Sequence, residues 1–230
     1  MTDDMPSSLA LSWSGGKDSS LALWVLATEH RVTPRALITT VTDAYERISM
    51  HGVRRSLLAL QAAAVGLRLV EVEIPAACTN EIYERRMEQA FASEPLCGVD
   101  AVAFGDLFLE DVRAYREDRL ATAGKRAYFP LWHRDTAGLA REFIAAGFEA
   151  ILVCVDPAKL DRSFAGRRFD RRLLDDLPTG VDPCGENGEF HTFVFAGPIL
   201  SAPLTIQIGE TVERDGFVFT DLTAGGRAGE

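Results

Sequence analysis

The sequence predicts an α/β protein: a doubly wound, five-stranded parallel sheet in the order 3-2-1-4-5, followed by a smaller mixed α/β domain. Three observations lead there. Apolar runs of strand length alternate with longer amphipathic stretches through the first 130 residues, the pattern of parallel βα units. The first of these junctions, "LALSWSGGKDSS" at 9 to 20, passes from strand to helix through two glycines. After Pro130 the character changes to one more helix, one strand and a glycine- and proline-rich end with short apolar runs. The division is placed near residue 132, with 1–132 as the larger domain and 133–230 as the smaller.

Strands are expected near 9–13, 35–41 ("RALITTV"), 68–73 ("RLVEVE"), 100–104 ("DAVAF") and 126–129 ("RAYF"). Helices are expected between them, near 17–29, 53–65, 79–91 and 109–123. In the second helix Val53, Leu57, Leu60, Ala64 and Val65 recur at three- and four-residue spacing, which predicts that this face packs on the sheet. Beyond Pro130, "DTAGLAREFIAAGFEAILVCVD" gives a helix stopped by Gly147 and a strand near 149–155. A basic helix near 169–176 and short strands near 190–196, 204–208 and 217–220 complete the reading.

Composition removes several classes of function. With 47% hydrophobic and 25% charged residues the chain is an ordinary globular one, not a disordered one. Its four cysteines, Cys78, Cys97, Cys154 and Cys184, form no CxxC, so neither a disulfide framework nor a zinc or iron-sulfur site is expected, and a reducing cytoplasm is. The amino terminus carries acid where an export signal carries base, and no window reaches the ~20 apolar residues that span a bilayer. A net charge of −10 makes a nucleic-acid partner unexpected, because such binding draws its affinity from Lys and Arg. The arginines of "DRSFAGRRFDRR" are expected to be a solvated edge.

A strand ending in Ser14-Gly15-Gly16 and feeding a helix at Lys17 presents backbone N–H groups where the helix dipole is positive. Such a place binds an anion. Gly15 and Gly16 let the backbone approach a phosphate, Lys17 adds charge, and Ser14 and Ser19 add hydroxyls. It is not a Walker A loop, since Leu11 stands where that motif has its first glycine and Asp18 follows the lysine.

"SGGKDS" resembles the PP-loop of the ATP pyrophosphatases, which cleave ATP between the α and β phosphates. The resemblance implies ATP as cofactor, pyrophosphate resting on Ser14 to Ser19, and Asp18 helping to place Mg²⁺. Further blocks narrow it: "TTVTDAYERISMHGV" at 39–53, "VAFGDLFLEDVRAYRE" at 102–117, "FPLWHRDT", "GFEAILVCVD" and "CGENGEFHTFV" at 184–194. From residue 9 to about residue 200 the chain is similar to the diphthine–ammonia ligase family. Thr39 and Thr40 lie at the end of the second strand, at the switch point where a doubly wound sheet receives its ligand, and they, with His51 as the resemblance implies, would frame the nucleotide. Gly105 and Asp106 follow the fourth strand, where Asp106 would face the phosphates and share Mg²⁺ with Asp18.

In "CGENGEFHTFV" alternation puts Glu189 and His191 on one strand face and Phe190 and Thr192 on the other. Glu186, Glu189 and His191 are expected to bind the acceptor or move a proton from an amine. The segment departs from the "GEGGEYET" of eukaryotic and archaeal diphthine–ammonia ligases by placing His191 where they have Glu, a form similar to bacterial members. The resemblance therefore implies an AMP-forming ligase with catalytic Lys17, Asp18, Asp106, Glu186, Glu189 and His191, acting on a small-molecule or protein-side-chain carboxylate with ammonia or an amine. It allows a homo-oligomer and leaves the acceptor open. A tRNA-thiolating PP-loop enzyme and a non-catalytic ATP-binding sensor stand as alternatives.

Overall fold

The computed structural model of the chain describes residues 5–42, 47–48, 52–75 and 78–225. Its first sheet is built around β1 (Leu9–Ser12). To one side lie β2 (Leu37–Thr42) and β4 (Leu69–Ile74), to the other β5 (Ala101–Ala103) and β6 (Arg126–Tyr128), all parallel. The five parallel strands thus take the order 3-2-1-4-5 that the sequence predicts. A two-residue strand, β3 (Arg47–Ile48), pairs antiparallel with the end of β2, and is too short to leave a periodic signal.

Strand β1 is buried on both faces, and its side chains divide by the two-residue period. Leu9, Leu11 and Trp13 pack with Leu21, Val25, Leu57 and Leu58, from α1 (Lys17–Thr28) and α2 (Arg55–Val65). Ala10, Ile38 and Val102 pack with Phe91 and Leu120, from α3 (Asn80–Ala92) and α4 (Glu110–Thr122). Helices therefore cover both faces. Local capping sets several of their starts: the Thr79 hydroxyl accepts from Ile82 N–H, and the Asp135 carboxylate from Gly138 N–H at the head of α5 (Thr136–Ala145).

The expected apolar face of α2 is corrected by the structure. Leu60 is 45% exposed, while Leu57, Leu58, Gln61 and Ala62 are buried. Val53 precedes the helix but is buried in the same core, and Ala64 and Val65 pack against it, so Leu60 alone departs from the expected stripe, which turns toward Leu58 and Gln61 and faces the second sheet as well as the first. That second sheet is antiparallel, in the order β8 (Phe190–Ala196), β7 (Glu149–Val155), β10 (Phe217–Ala224), β9 (Ile206–Arg214). The β9–β10 hairpin is longer than the sequence predicts. It turns at Asp215-Gly216, both with positive φ, as an Asp-Gly hairpin requires; β9 is exposed along nearly all its length, so no apolar alternation marks its far half.

The short helix α6 (Arg171–Asp176), capped by Asp170, accounts for the expected basic helix. Around it Arg167 pairs with Asp176 at 2.6 Å and Arg168 with Glu149 at 2.5 Å, while Arg171 and Arg172 are exposed, so the cluster lies on a solvated edge. One apolar core, including Leu11 and Trp13 from the first sheet and Phe193 and Val194 from the second, runs through both halves. Among the described residues no helix is long and apolar enough to cross a membrane.

Candidate active site

The loop from Ser14 to Gly16 joins β1 to α1. Gly15 has a φ of +76°, and a Cβ there would stand 2.8 Å from both Gln61 Oε1 and Leu58 Cδ2; only glycine fits. Its carbonyl accepts from Val194 N–H at 2.9 Å and from Gln61 Nε2 at 3.0 Å. Gly16 N–H donates to Ser14 Oγ at 3.3 Å, and Ser19 Oγ donates to the Gly16 carbonyl at 3.1 Å. The N–H of Lys17 donates to Thr192 Oγ1 at 3.0 Å. The second sheet thus lies directly against the glycine loop.

Lys17 is 3% exposed. Its Nζ meets Asp18 Oδ1 at 2.5 Å and lies 6.0 and 5.9 Å from the ring centres of Phe169 and Phe190. Burial pulls the ammonium pKa down, but Asp18, with Cys184 and Glu186, outweighs it and the net shift is upward. Lys17 is a cation at any physiological pH. Burial raises the Asp18 pKa, Lys17 opposes this, and the nearby charges of Asp106 and Asp182 add to it.

Gly105 brings the loop after β5 against α1: a Cβ there would fall 2.7 Å from the Asp18 carbonyl carbon. Asp106 follows, and Arg116 of α4 grips it through Nε at 2.6 Å and the second nitrogen at 3.2 Å while stacking over Phe104, 4.4 Å from the ring centre. Glu186 reaches in from the loop before β8, where its Oε1 accepts from Leu107 N–H at 2.7 Å. Burial, reinforced by Asp18 and Asp106, lifts its carboxyl to about 7 although the Leu107 bond opposes this. Cys184 is buried beside them, its thiol pushed up to about 12 by burial, and it donates to the Thr136 carbonyl.

Lys17, Asp18, Asp106 and Glu186 are therefore brought together. Glu189 and His191 are not brought in with them. The pleat of β8 turns Phe190 and Thr192 toward the loop, and so Glu189 and His191 toward its other face. Glu189 is 3% exposed, and its Oε1 accepts from Asp182 N–H at 3.0 Å and from Asn187 Nδ2 at 3.2 Å: it braces its own turn. His51 lies outside the described residues.

A cavity of about 270 Å³ opens at the carboxyl ends of β1, β2 and β5, between the sheet and helices α3 and α4. Ser14, Thr39 and Thr40 line it together with Ile38, Tyr83, Met87, Phe91 and Phe104. Both expected threonines thus reach the same hollow as Ser14 of the glycine loop. For Mg²⁺, no cluster of three ligating side chains exists among the described residues. Asp18 and Asp106 nonetheless suit an ion that takes one or two carboxylates and completes its shell from substrate phosphates. The carboxyl groups of Asp18 and Glu186 are raised by burial and then by the neighbouring charge of Asp106, an excess of negative charge that such a cation would relieve.

Family models match both parts of the chain. The diphthamide synthase N-terminal domain model matches residues 7–125, and the diphthamide synthase C-terminal domain model matches residues 135–221. The chain belongs to the diphthamide synthase family. Similar curated proteins, each named diphthine--ammonia ligase, come from Danio rerio, 28% identical over 220 residues covering 86% of both chains, and from Rattus norvegicus, 25% identical over 220 residues covering 86% of this chain and 82% of its own. The Schizosaccharomyces pombe protein is 24% identical over 218 residues, 87% of this chain; the match spans only 36% of its length.

Within this diphthamide synthase fold, Gln61, Thr192 and Arg116 are site residues that sequence reasoning misses. Gln61 left one signal, a lone amide in the apolar run "LLALQAAAVG". Thr192 left only its place opposite His191 in the alternation.

Proposed function

We propose that this protein is an ATP-dependent, AMP-forming ligase that activates a carboxylate as an adenylate and passes it to ammonia or an amine. The observation that carries the reading is the cavity of about 270 Å³ beginning at Ser14: it adjoins the glycine loop, as the base and ribose of a nucleotide must when its phosphates rest there. Pyrophosphate lies on Ser14 to Ser19, and adenosine lies against Thr39, Thr40 and the apolar wall of Ile38, Met87 and Phe91. Asp18 and Asp106 would hold Mg²⁺, which supplies charge neutralisation for the leaving pyrophosphate.

Lys17, already a cation, stabilises the charge that grows on that leaving group. Glu186, with a carboxyl near 7, is suited to take a proton from an incoming amine at neutral pH. The relatives' name, diphthine--ammonia ligase, supports ammonia as the nitrogen donor. Residues 1–132 carry the nucleotide, and residues 133–230 supply Glu186 and the wall facing the acceptor.

Incubation with α-labelled ATP, Mg²⁺ and cell extract tests the reading. Labelled AMP with pyrophosphate is expected; labelled ADP with phosphate overturns it. Binding of ATP without any turnover under these conditions would make the protein a sensor.

A further inference from the structure

We infer that Gln61 sets the polarity of the Gly15–Gly16 peptide and is thereby a positioning residue for anion binding by the phosphate loop; the inference rests on the reading of that loop as a pyrophosphate site. Gln61 is fully buried, in the middle of α2, and its side-chain hydrogen bonds join separate parts of the chain. Its Oε1 accepts from Trp13 Nε1 at 2.8 Å, at the end of β1. Its Nε2 donates to the Gly15 carbonyl at 3.0 Å and to the Val194 carbonyl of β8 at 2.6 Å. The amide has only one possible orientation, because an indole N–H is a donor only and both carbonyls are acceptors only.

The consequence lies in the peptide it holds. A trans peptide points its C=O and N–H in opposite directions. Two donors, Gln61 Nε2 and Val194 N–H, hold the Gly15 carbonyl on the side of α2 and β8. Gly16 N–H is thereby turned the other way, toward Ser14 Oγ, and Ser14 lines the cavity. Between two glycines no side chain resists a flip of this peptide. A flipped peptide would offer a carbonyl oxygen to an anion in place of an N–H. Gln61 supplies what the glycines lack, and as a neutral amide it does so without adding charge beside the phosphates.

Gln61→Glu and Gln61→Met test this in the full-length protein. The readout is the Kd for pyrophosphate with Mg²⁺, set against the Kd for adenosine, each as a ratio to wild type across pH. The ionised carboxylate that Gln61→Glu introduces cannot donate to either carbonyl. Pyrophosphate binding by Gln61→Glu is therefore expected to be at least tenfold weaker at high pH and to approach wild type as the pH falls and the carboxyl gains a proton. Gln61→Met, which fills the space without donors, is expected to be weaker at every pH. Adenosine binding stays unchanged in both. Equal pyrophosphate affinity in all three proteins overturns the inference, whereas a wild type that binds neither pyrophosphate nor ATP overturns the loop assignment beneath it.

Should the variants fail to fold, wild-type NMR decides. Saturation with pyrophosphate is expected to shift the Gly16 N–H while the Gln61 side-chain amide protons stay slow to exchange. An unmoved Gly16 N–H, or loss of protection at Gln61, overturns the inference.

Discussion

The hydroxyl of Thr192, on the second sheet, accepts the backbone N–H of Lys17, in the first turn of the helix that follows the glycine loop. The bond spans 175 residues of sequence and serves as an N-cap supplied from another part of the fold. Gly16, the local cap position, has no side chain to do so. The second sheet is thus part of the loop's construction.

Thr192→Val keeps the shape of the side chain and removes the acceptor, leaving a buried N–H without its partner. Such a loss costs about 1–3 kcal/mol. Urea unfolding is expected to show a decrease of that size in Thr192→Val and near-wild-type stability in Thr192→Ser. Equal stability of Val and wild type would mean that the N–H finds another acceptor.

Lys17→Ala acts on two levels. Loss of the cation from the leaving-group site is expected to lower turnover by on the order of 10²-fold. It also leaves Asp18 without its partner; that side chain remains 36% exposed, so solvent limits the cost to about 1–2 kcal/mol. Adding Asp18→Asn should restore the stability and leave turnover low. Recovery of turnover in the double variant would show that the lysine serves only to neutralise the aspartate.

Much of this site is written locally. "SGGKDS" is contiguous and alternating βα units predict a parallel, doubly wound sheet, so loop and fold class are legible from the chain alone, while the strand order 3-2-1-4-5 is what the PP-loop resemblance implies. What closes the loop is not: Gln61 lies 46 residues from Gly15 and Thr192 lies 175 from Lys17, and no periodicity links them. The turn before β8 is instructive in another way. Alternation correctly separates Glu189 and His191 from Phe190 and Thr192, but which face meets the glycines depends on how β8 pairs with β7. That pairing slips by one residue between Leu152 and Cys154, a bulge that nothing in "ILVCVD" announces.

The pH dependence of stability should carry the mark of Glu186. Its carboxyl holds its proton to about 7 in the folded state, against 4.5 ordinarily, so between these values the unfolded chain binds fewer protons than the folded one. Stability is then greatest at the acid end and is lost as pH rises from about 4.5 to 7. Glu186→Gln has no proton to lose and still accepts from Leu107. It is expected to match wild type near pH 4.5 and to exceed it above pH 7 by about 1 kcal/mol, after allowance for partial exposure. A difference that does not vary with pH would remove Glu186 from the titrating groups.

The grip of Arg116 on Asp106 gives the last test, because it decides how a carboxylate proposed for Mg²⁺ is held before the ion arrives. The guanidinium lies against Phe104 and forks onto both carboxylate oxygens. It fixes the carboxylate rotamer and offsets one negative charge in a site that also holds Asp18 and Glu186. Free oxygen lone pairs remain for a metal, since a carboxylate offers about four acceptor positions. If Arg116 acts only through Asp106, its removal matters only while Asp106 is charged. Arg116→Ala should weaken Mg²⁺-dependent ATP binding in the wild-type background and have little effect once Asp106 is Asn, giving a coupling energy of about 0.5–3 kcal/mol in the double-mutant cycle. Arg116→Lys should fall between, having charge but no fork. Additive losses from the two single substitutions would instead mean that Arg116, which lines the cavity, contacts the nucleotide independently of Asp106.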